Sequence, residues 1–220
     1  MNAPKHVVAI VLPPREGFAA GATGAVGLLV QRLASWPGAF APVVVGMDLQ
    51  RETFPGIAFR AARLGWFPGP LAFRYAASVL REIRRLCPAI VEVHNRPELA
   101  LALARHCPDI PVCLFLHNDP QDMRRARSPA ERRHLLASLA RVAAVSGYVR
   151  GRLLDGAPGH CEVLPNCLNL RSIPPSPPQR EKLILFAGRV VADKGADSFV
   201  RACALALPRL PGWRAEMIGA

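Results

Sequence analysis

Lysine is almost missing from this 220-residue chain: Lys5, Lys182 and Lys194 stand against 25 arginines, within a formal net charge of +12. Alanine and proline are abundant beside them, so the bias fits a GC-rich coding sequence as well as a functional demand. Aromatic residues are also few, at 6%. A surface that stacks bases interleaves rings with its cations; the most basic stretch has only Tyr148, so nucleic acid is not expected as a partner. No apolar run reaches the roughly 18 residues that a membrane-spanning helix needs. The opening M-N-A-P-K-H-V-V-A-I-V-L passes straight into P-P-R-E-G without a small-residue cleavage site. It reads as a first strand rather than a secretory leader, and a cytoplasmic protein is expected. None of the six cysteines forms a C-x-x-C pair, which removes ordinary zinc spacing. A composition 51% hydrophobic offers core enough to need no disulfide framework. G-x-G-x-x-G is absent, and neither Ser128 nor Ser146 sits in G-x-S-x-G, so neither a dinucleotide fingerprint nor a serine nucleophile is indicated.

What is present alternates short apolar runs with amphipathic segments, the pattern of a parallel sheet covered on both faces. Strands are expected at Val7–Leu12, Pro42–Gly46, Ile57–Leu64, Ile90–Val93, Val112–Leu116, Val142–Val145 and Glu162–Leu164. A Gly-rich loop over Pro13–Gly24 leads into a helix through Trp36. Leu71–Leu86 is the clearest amphipathic helix, with Tyr75, Val79 and Ile83 at helical spacing and Arg74, Arg81, Arg84 and Arg85 opposite. A further helix is expected over Glu98–His106. Ser128-Pro129-Ala130-Glu131 reads as a cap, a first-turn proline and an early acid opening a helix to Leu139. Pro174–Pro178 holds four prolines in five positions and can continue neither a helix nor a central strand. The fold class expected is α/β, a doubly wound parallel sheet. Residues 1–173 form a first domain, 174–181 a linker, and 182–220 an incomplete second Rossmann-like domain.

Four groups of residues stand where an α/β sheet receives ligands. In L-I-L-F-A-G-R-V-V-A-D-K-G, Arg189 follows the strand at Leu183–Phe186 and Lys194 precedes the next helix, a fork and a point charge suited to a diphosphate. The bland alternative is a junction with solvated cations. The loop G-F-A-A-G-A-T-G-A-V-G offers Gly21, Thr23 and Gly24 beside a helix terminus whose unpaired N–H groups suit an anion; otherwise it is a loose loop. In F-L-H-N-D-P, His117 stands just past a strand with Asn118 and Asp119, either in a site or as a satisfied polar residue. In E-V-H-N-R-P-E, Glu92, His94, Asn95, Arg96 and Glu98 surround the end of the neighbouring strand, so two His-Asn pairs converge on one rim. A metal held by His94, His117 and a carboxylate is the weaker alternative, because no i, i+4 histidine pair fixes its geometry. Finally, Asp122–Arg152 sets eight arginines against Asp122 and Glu131. That excess suits an anionic membrane surface or is a solvated helix face.

Taken in order, V-S-G-Y-V-R (Val145–Arg150), V-L-P-N (Val163–Asn166) and G-R-x-x-x-x-K-G (Gly188, Arg189, Lys194, Gly195) resemble glycosyltransferase family 4, the retaining nucleotide-sugar enzymes of GT-B architecture. The resemblance covers nearly the whole chain and is patchy over residues 47–88. It implies a GT-B-type Rossmann-like first domain and the start of the donor-binding domain. A stretch with two glutamates that binds the donor's sugar and ribose is expected beyond M-I-G-A. By the same resemblance Gly188, Arg189 and Lys194 hold the donor diphosphate without a metal or other cofactor, and Gly21, Thr23 and Gly24 face the donor phosphates. His117 orients the sugar with Asp119 as support, and His94, Asn95 and Arg96 lie on the acceptor side. The activity implied is sugar transfer from a nucleotide-sugar donor to a carbohydrate or lipid-linked acceptor, in polysaccharide, lipopolysaccharide or glycolipid synthesis. Such a protein is cytoplasmic and peripheral on the inner membrane face, with a separate chain as one source of the remaining donor domain. The rival readings are an inactive or partner-dependent acceptor-binding module and a GT-B phosphorylase-type enzyme.

Overall fold

The computed structural model describes residues 6–36, 38–47, 52–66 and 68–219. Residues 1–5, which lead into the expected first strand, and Ala220 at the end of M-I-G-A lie outside them. The chain divides into two units, Met1–Asn169 and Leu170–Ala220. Residues 174–181 fall within the second unit and carry neither helix nor strand.

In the first unit the strands are β1 (His6–Val11), β2 (Phe40–Gly46), β3 (Ala58–Ala61), β4 (Ile90–His94), β5 (Val112–Leu116), β6 (Arg141–Ala144) and β7 (Glu162–Val163). They form one sheet in the order β3-β2-β1-β4-β5-β6-β7, with every neighbouring pair parallel. The helices are α1 (Ala25–Ala34), α2 (Leu71–Leu86), α3 (Pro97–His106), α4 (Pro129–Ser138) and α5 (Gly147–Leu154). This is the α/β Rossmann-like sheet that the alternation predicts. The strand order reverses between β1 and β4, and at such a switch point the loops beyond the strands' carboxyl ends part to leave a crevice.

The period of two along a strand divides the core. Ala9 and Val11 of β1 and Val91 and Val93 of β4 join Tyr75, Val79 and Ile83 of α2 and Leu99 and Leu103 of α3 in the larger cluster. Val8, Ile10 and Leu12 face the other way and pack with Val30 of α1 and Phe18. Tyr75 ties α2 to the carboxyl end of β1: it is 1% exposed and its hydroxyl donates to the Leu12 carbonyl at 2.7 Å. Burial pushes that phenol well above its usual pKa.

The α4 start is the predicted capping box, with the Ser128 side chain accepting from the Glu131 amide and Glu131 accepting from the Ser128 amide. The basic stretch beside it requires a correction. Arg132, counted from sequence as part of a cationic surface, is 1% exposed. Its guanidinium donates to the carbonyls of Leu153, Ala126, Arg127 and Asp155, stitching α4 to the end of α5. A planar fork with five donors can serve four carbonyls at once; a lysine could not. Helix α5 itself was not expected, because two glycines, Gly147 and Gly151, dilute its pattern.

The second unit contains β8 (Leu183–Ala187), a 3-10 turn at Ala192–Lys194, α6 (Ala196–Ala206) and β9 (Arg214–Ile218), with β9 parallel to β8. Phe186 of β8 meets Phe199 of α6 at 5.4 Å between ring centroids. Among the described residues only Ala196 and Cys203 of this unit are buried apolar side chains, while Leu185 and Ile218 stay half exposed. The Gly188 amide donates to the Ile218 carbonyl. Gly219, at φ +148, passes so near that a Cβ on it would lie 1.7 Å from the Gly188 oxygen, so only glycine fits there.

Candidate functional site

Parallel pairing sets His94, the last residue of β4, opposite Phe115 of β5. His117 follows two residues later and so projects to the same face. The His94 ring lies 5.2 Å from that of Phe115 and meets the His117 ring edge to edge, with centroids 5.1 Å apart and the planes inclined by 10°. His94 Nδ1 and His117 Nε2 are 2.8 Å apart. The Asn95 side chain receives the His117 amide at 2.8 Å, while Asn95 itself adopts φ +54. That left-handed backbone, which asparagine tolerates better than most residues, turns the chain after β4 and aims its amide at the loop after β5. The two His-Asn pairs therefore do meet.

His94 and Asn95 were expected on the acceptor side, yet His94 is 0% and Asn95 7% exposed. Both side chains lie beneath the surface of the rim. Arg96 is partly exposed at the switch point, with its guanidinium donating to the Asn95 carbonyl at 2.8 Å. Burial, and secondarily the charge of His117, pushes His94 down to about 3, so its ring is neutral. Burial also lowers His117, opposed by a hydrogen bond with the Asn166 side chain that favours its protonated form. Asn166, past β7, was not singled out as a site residue. Its place at a strand's carboxyl end, in the V-L-P-N segment, is the signal that could have found it. Glu92, on the same face as His94, is raised by burial to about 6.

Asp119 is committed to local structure. Its carboxylate accepts from the Gln121 amide at 2.9 Å and pairs with Arg152 at 2.7 Å. The Gln121 amide, Arg152 and, more weakly, Arg132 hold it below the usual aspartate range against the opposing effect of desolvation. Beside His117 lies a cavity of about 220 Å³, walled by Leu29 and Leu33 of α1, Phe115, Ala143, Leu164 and Asn166. It is an apolar recess with polar groups at one side, the usual make-up of a small-molecule pocket.

The first loop differs from the expectation of unpaired N–H groups. The carboxylate of Glu16 accepts from the Gly24 amide at 2.8 Å and the Gly27 amide at 2.9 Å, filling the anion seat at the start of α1 from within. A Cβ on Gly27 would meet Thr23 Oγ1 at 2.0 Å, so this close turn requires glycine. Gly21 and Gly24 are exposed and Thr23 is partly so. Glu16 escaped notice, although an acid in the loop before a helix whose own cap is glycine is a usable signal.

In the second unit Gly188 follows β8. Arg189 stands next, about two-thirds exposed, and meets Asp193 at 3.7 Å. Lys194 is exposed at the end of the 3-10 turn, and Gly195, at φ +76, is the N-cap of α6 without a side-chain capping bond. Both cations are thus free of any buried commitment. Among the described residues no three His, Cys, Asp or Glu side chains gather as a metal set, and no helix is long and apolar enough to cross a membrane.

The sequence model of the family described as Glycosyltransferase Family 4 matches residues 25–172. No curated protein sequence matches the chain. Among solved structures, Anabaena HepE, determined with UDP and glucose, superposes with a TM-score of 0.66 at 14% identity, over 95% of this chain and 60% of that one. A glycosyltransferase from Rickettsia africae gives 0.62 at 11% identity, over 99% of this chain and 69% of that one. The UDP-GlcNAc 2-epimerase of Neisseria meningitidis, bound to UDP-GlcNAc, gives 0.53 at 14% identity, over 97% of this chain and 65% of that one. At these identities the likeness is one of fold, and the chain spans less than two thirds of the length of HepE and of the epimerase.

Proposed function

Because the chain belongs to glycosyltransferase family 4, we propose that it takes part in transferring a sugar from a nucleotide-sugar donor to a carbohydrate or lipid-linked acceptor, with retention at the anomeric carbon. The observation that carries this reading is the family match over residues 25–172, the span holding the His94–His117 rim and its cavity. Arg189 and Lys194 meet the donor diphosphate. Charge develops there as the nucleotide leaves, and donors placed in advance stabilise it, often the largest single contribution to catalysis. Two cations suffice for that neutralisation without a metal. His117 meets the transferred sugar, and Arg96 stands toward the acceptor. The exposed arginines Arg124, Arg125, Arg127, Arg133 and Arg150 suit an anionic membrane surface, which fits a cytoplasmic, peripheral protein with a lipid-linked acceptor in polysaccharide, lipopolysaccharide or glycolipid synthesis.

Exposed cations bind through charge that salt screens. Calorimetric titration of the chain with UDP and with GDP is expected to show weak binding at low salt that fades at high salt and in both Arg189→Ala and Lys194→Ala. Binding that ignores salt and survives both substitutions, or none at low salt, would overturn the assignment of this pair.

A further inference from the structure

The contact between His94 and His117 fixes more than the position of a ring. His94 is wholly buried, and its Nε2 has no hydrogen-bond partner among the described residues. A neutral imidazole carries one proton on its two nitrogens, so the 2.8 Å contact between His94 Nδ1 and His117 Nε2 can be made in two ways. If His117 donates, the His94 proton must sit on Nε2, leaving a buried N–H without an acceptor. If His94 donates from Nδ1, what remains unpaired is a lone pair on Nε2. Orphaned buried N–H groups are the rarer of the two, and stranding a donor forfeits the whole of its lost hydration. The second arrangement is therefore favoured. It occupies His117 Nε2 as an acceptor, so the proton of a neutral His117 lies on Nδ1, the nitrogen left for Asn166.

We propose that His94 is a positioning residue that holds His117 as its Nδ1–H tautomer, so that His117 meets a ligand as a hydrogen-bond donor to oxygen and not as a base through Nε2. The ligand class follows from that proton: a sugar hydroxyl oxygen or another oxygen acceptor, exchanging with Asn166 for the same N–H. That this oxygen belongs to a nucleotide-bound sugar rests on the function proposed above; the placement of the proton does not. The depressed values of both rings agree with a pair kept neutral. Protonating His117 would oblige Nε2 to donate and would drive the His94 proton onto its unpartnered nitrogen.

Long-range 1H–15N correlation of the chain labelled at histidine reads which imidazole nitrogens carry protons, with His117→Gln identifying the signals of that ring. At neutral pH the expected spectrum of the unaltered chain shows both His94 and His117 neutral with the proton on Nδ1. His94→Phe keeps a stacking ring but removes the donor, and His117 should shift to the Nε2–H form that free imidazole prefers. His94→Asn, whose amide N–H takes the place of Nδ1–H, should restore the original pattern. A proton on His117 Nε2 in the unaltered chain would overturn the proposal, as would a folded His94→Phe with the His117 pattern unchanged. Where His94→Phe does not fold, the spectrum of the unaltered chain decides alone. Nucleotide titration is independent of this readout, so its failure and the failure of the proton placement are separable.

Discussion

Arg132 in the first unit and Arg189 in the second are the same side chain in opposite circumstances. The first is 1% exposed and donates to four backbone carbonyls. The second is about two-thirds exposed and has one carboxylate neighbour at 3.7 Å. The contrast extends to their surroundings. Around His117 the polar groups are engaged with one another: His94 with His117, Asn95 with the His117 amide, and Asp119 with Arg152, and in the first loop Glu16 is taken up by Gly24 and Gly27. Around Gly188 and Gly195 the cations are kept in solvent. The first unit thus offers a preformed rim with few adjustable parts, and the second offers charge. A rim of that kind discriminates by geometry, whereas exposed charge attracts at longer range and discriminates little.

The largest expected effect that separates the units is on stability. Arg132→Met keeps the bulk and removes every donor, leaving buried carbonyls unpaired, at a cost of about 3 kcal/mol or more. Urea unfolding followed by circular dichroism measures it. A loss no greater than that of a surface arginine would break the comparison.

An intermediate effect is expected with pH, and its sign differs between two side chains on one face of the sheet. Folding lowers His94 from 6.5 to about 3. Its neutral ring therefore contributes stability that is fully present above pH 6.5 and is lost as pH falls from there toward 3. Folding raises Glu92 from 4.5 to about 6, a penalty present above pH 6 that is relieved as pH falls toward 4.5. The two oppose each other between pH 6 and 4.5, and only the His94 loss continues below. Unfolding midpoints across this range should fall most steeply below pH 4.5. His94→Asn should flatten that fall, and Glu92→Gln should steepen the loss between pH 6 and 4.5. Identical profiles for all three chains would show that neither group is perturbed by its burial.

The smallest effect belongs to the second unit. Arg201 pairs with Asp197 one turn away on exposed α6, and such pairs contribute about 0.3–0.5 kcal/mol. Arg201→Ala should lower stability by no more than about that amount in the same urea measurement. A cost approaching that of Arg132→Met would mean that the second unit is held as tightly as the first.

Much of the frame was legible before any coordinates. The α2 bounds Leu71–Leu86 follow from the spacing of Tyr75, Val79 and Ile83, and the start of α4 from Ser128 and Glu131, because cap and period are local signals. Convergence of the His94 and His117 segments followed from adjacent strands of similar length. What escaped notice depends on which face a side chain takes and who its distant neighbours are. Arg132 looked like one more cation in a basic run, since nothing local announces four carbonyls brought from α5 and the preceding loop. The burial of His94 is not legible either, because it depends on Phe115 of β5 and on His117 just past that strand. Glu16 and Asn166 carry local signals, an acid before a glycine-capped helix and a strand-end V-L-P-N, but their partners Gly24, Gly27 and His117 are set by the fold. Helix α5 was hidden by its glycines.

The central proposal is that Arg189 and Lys194 receive the nucleotide diphosphate and that His117 meets the transferred sugar. Amide and imidazole resonances of the 15N-labelled chain, followed at low salt during titration with UDP and GDP and then with the corresponding nucleotide sugars, test it most directly. The account predicts that the nucleotides perturb Gly188, Arg189, Lys194 and Gly195, and that adding the sugar extends the perturbation to His117 and Asn166. Perturbations that avoid Gly188–Gly195, or a sugar that leaves His117 and Asn166 untouched, would contradict it.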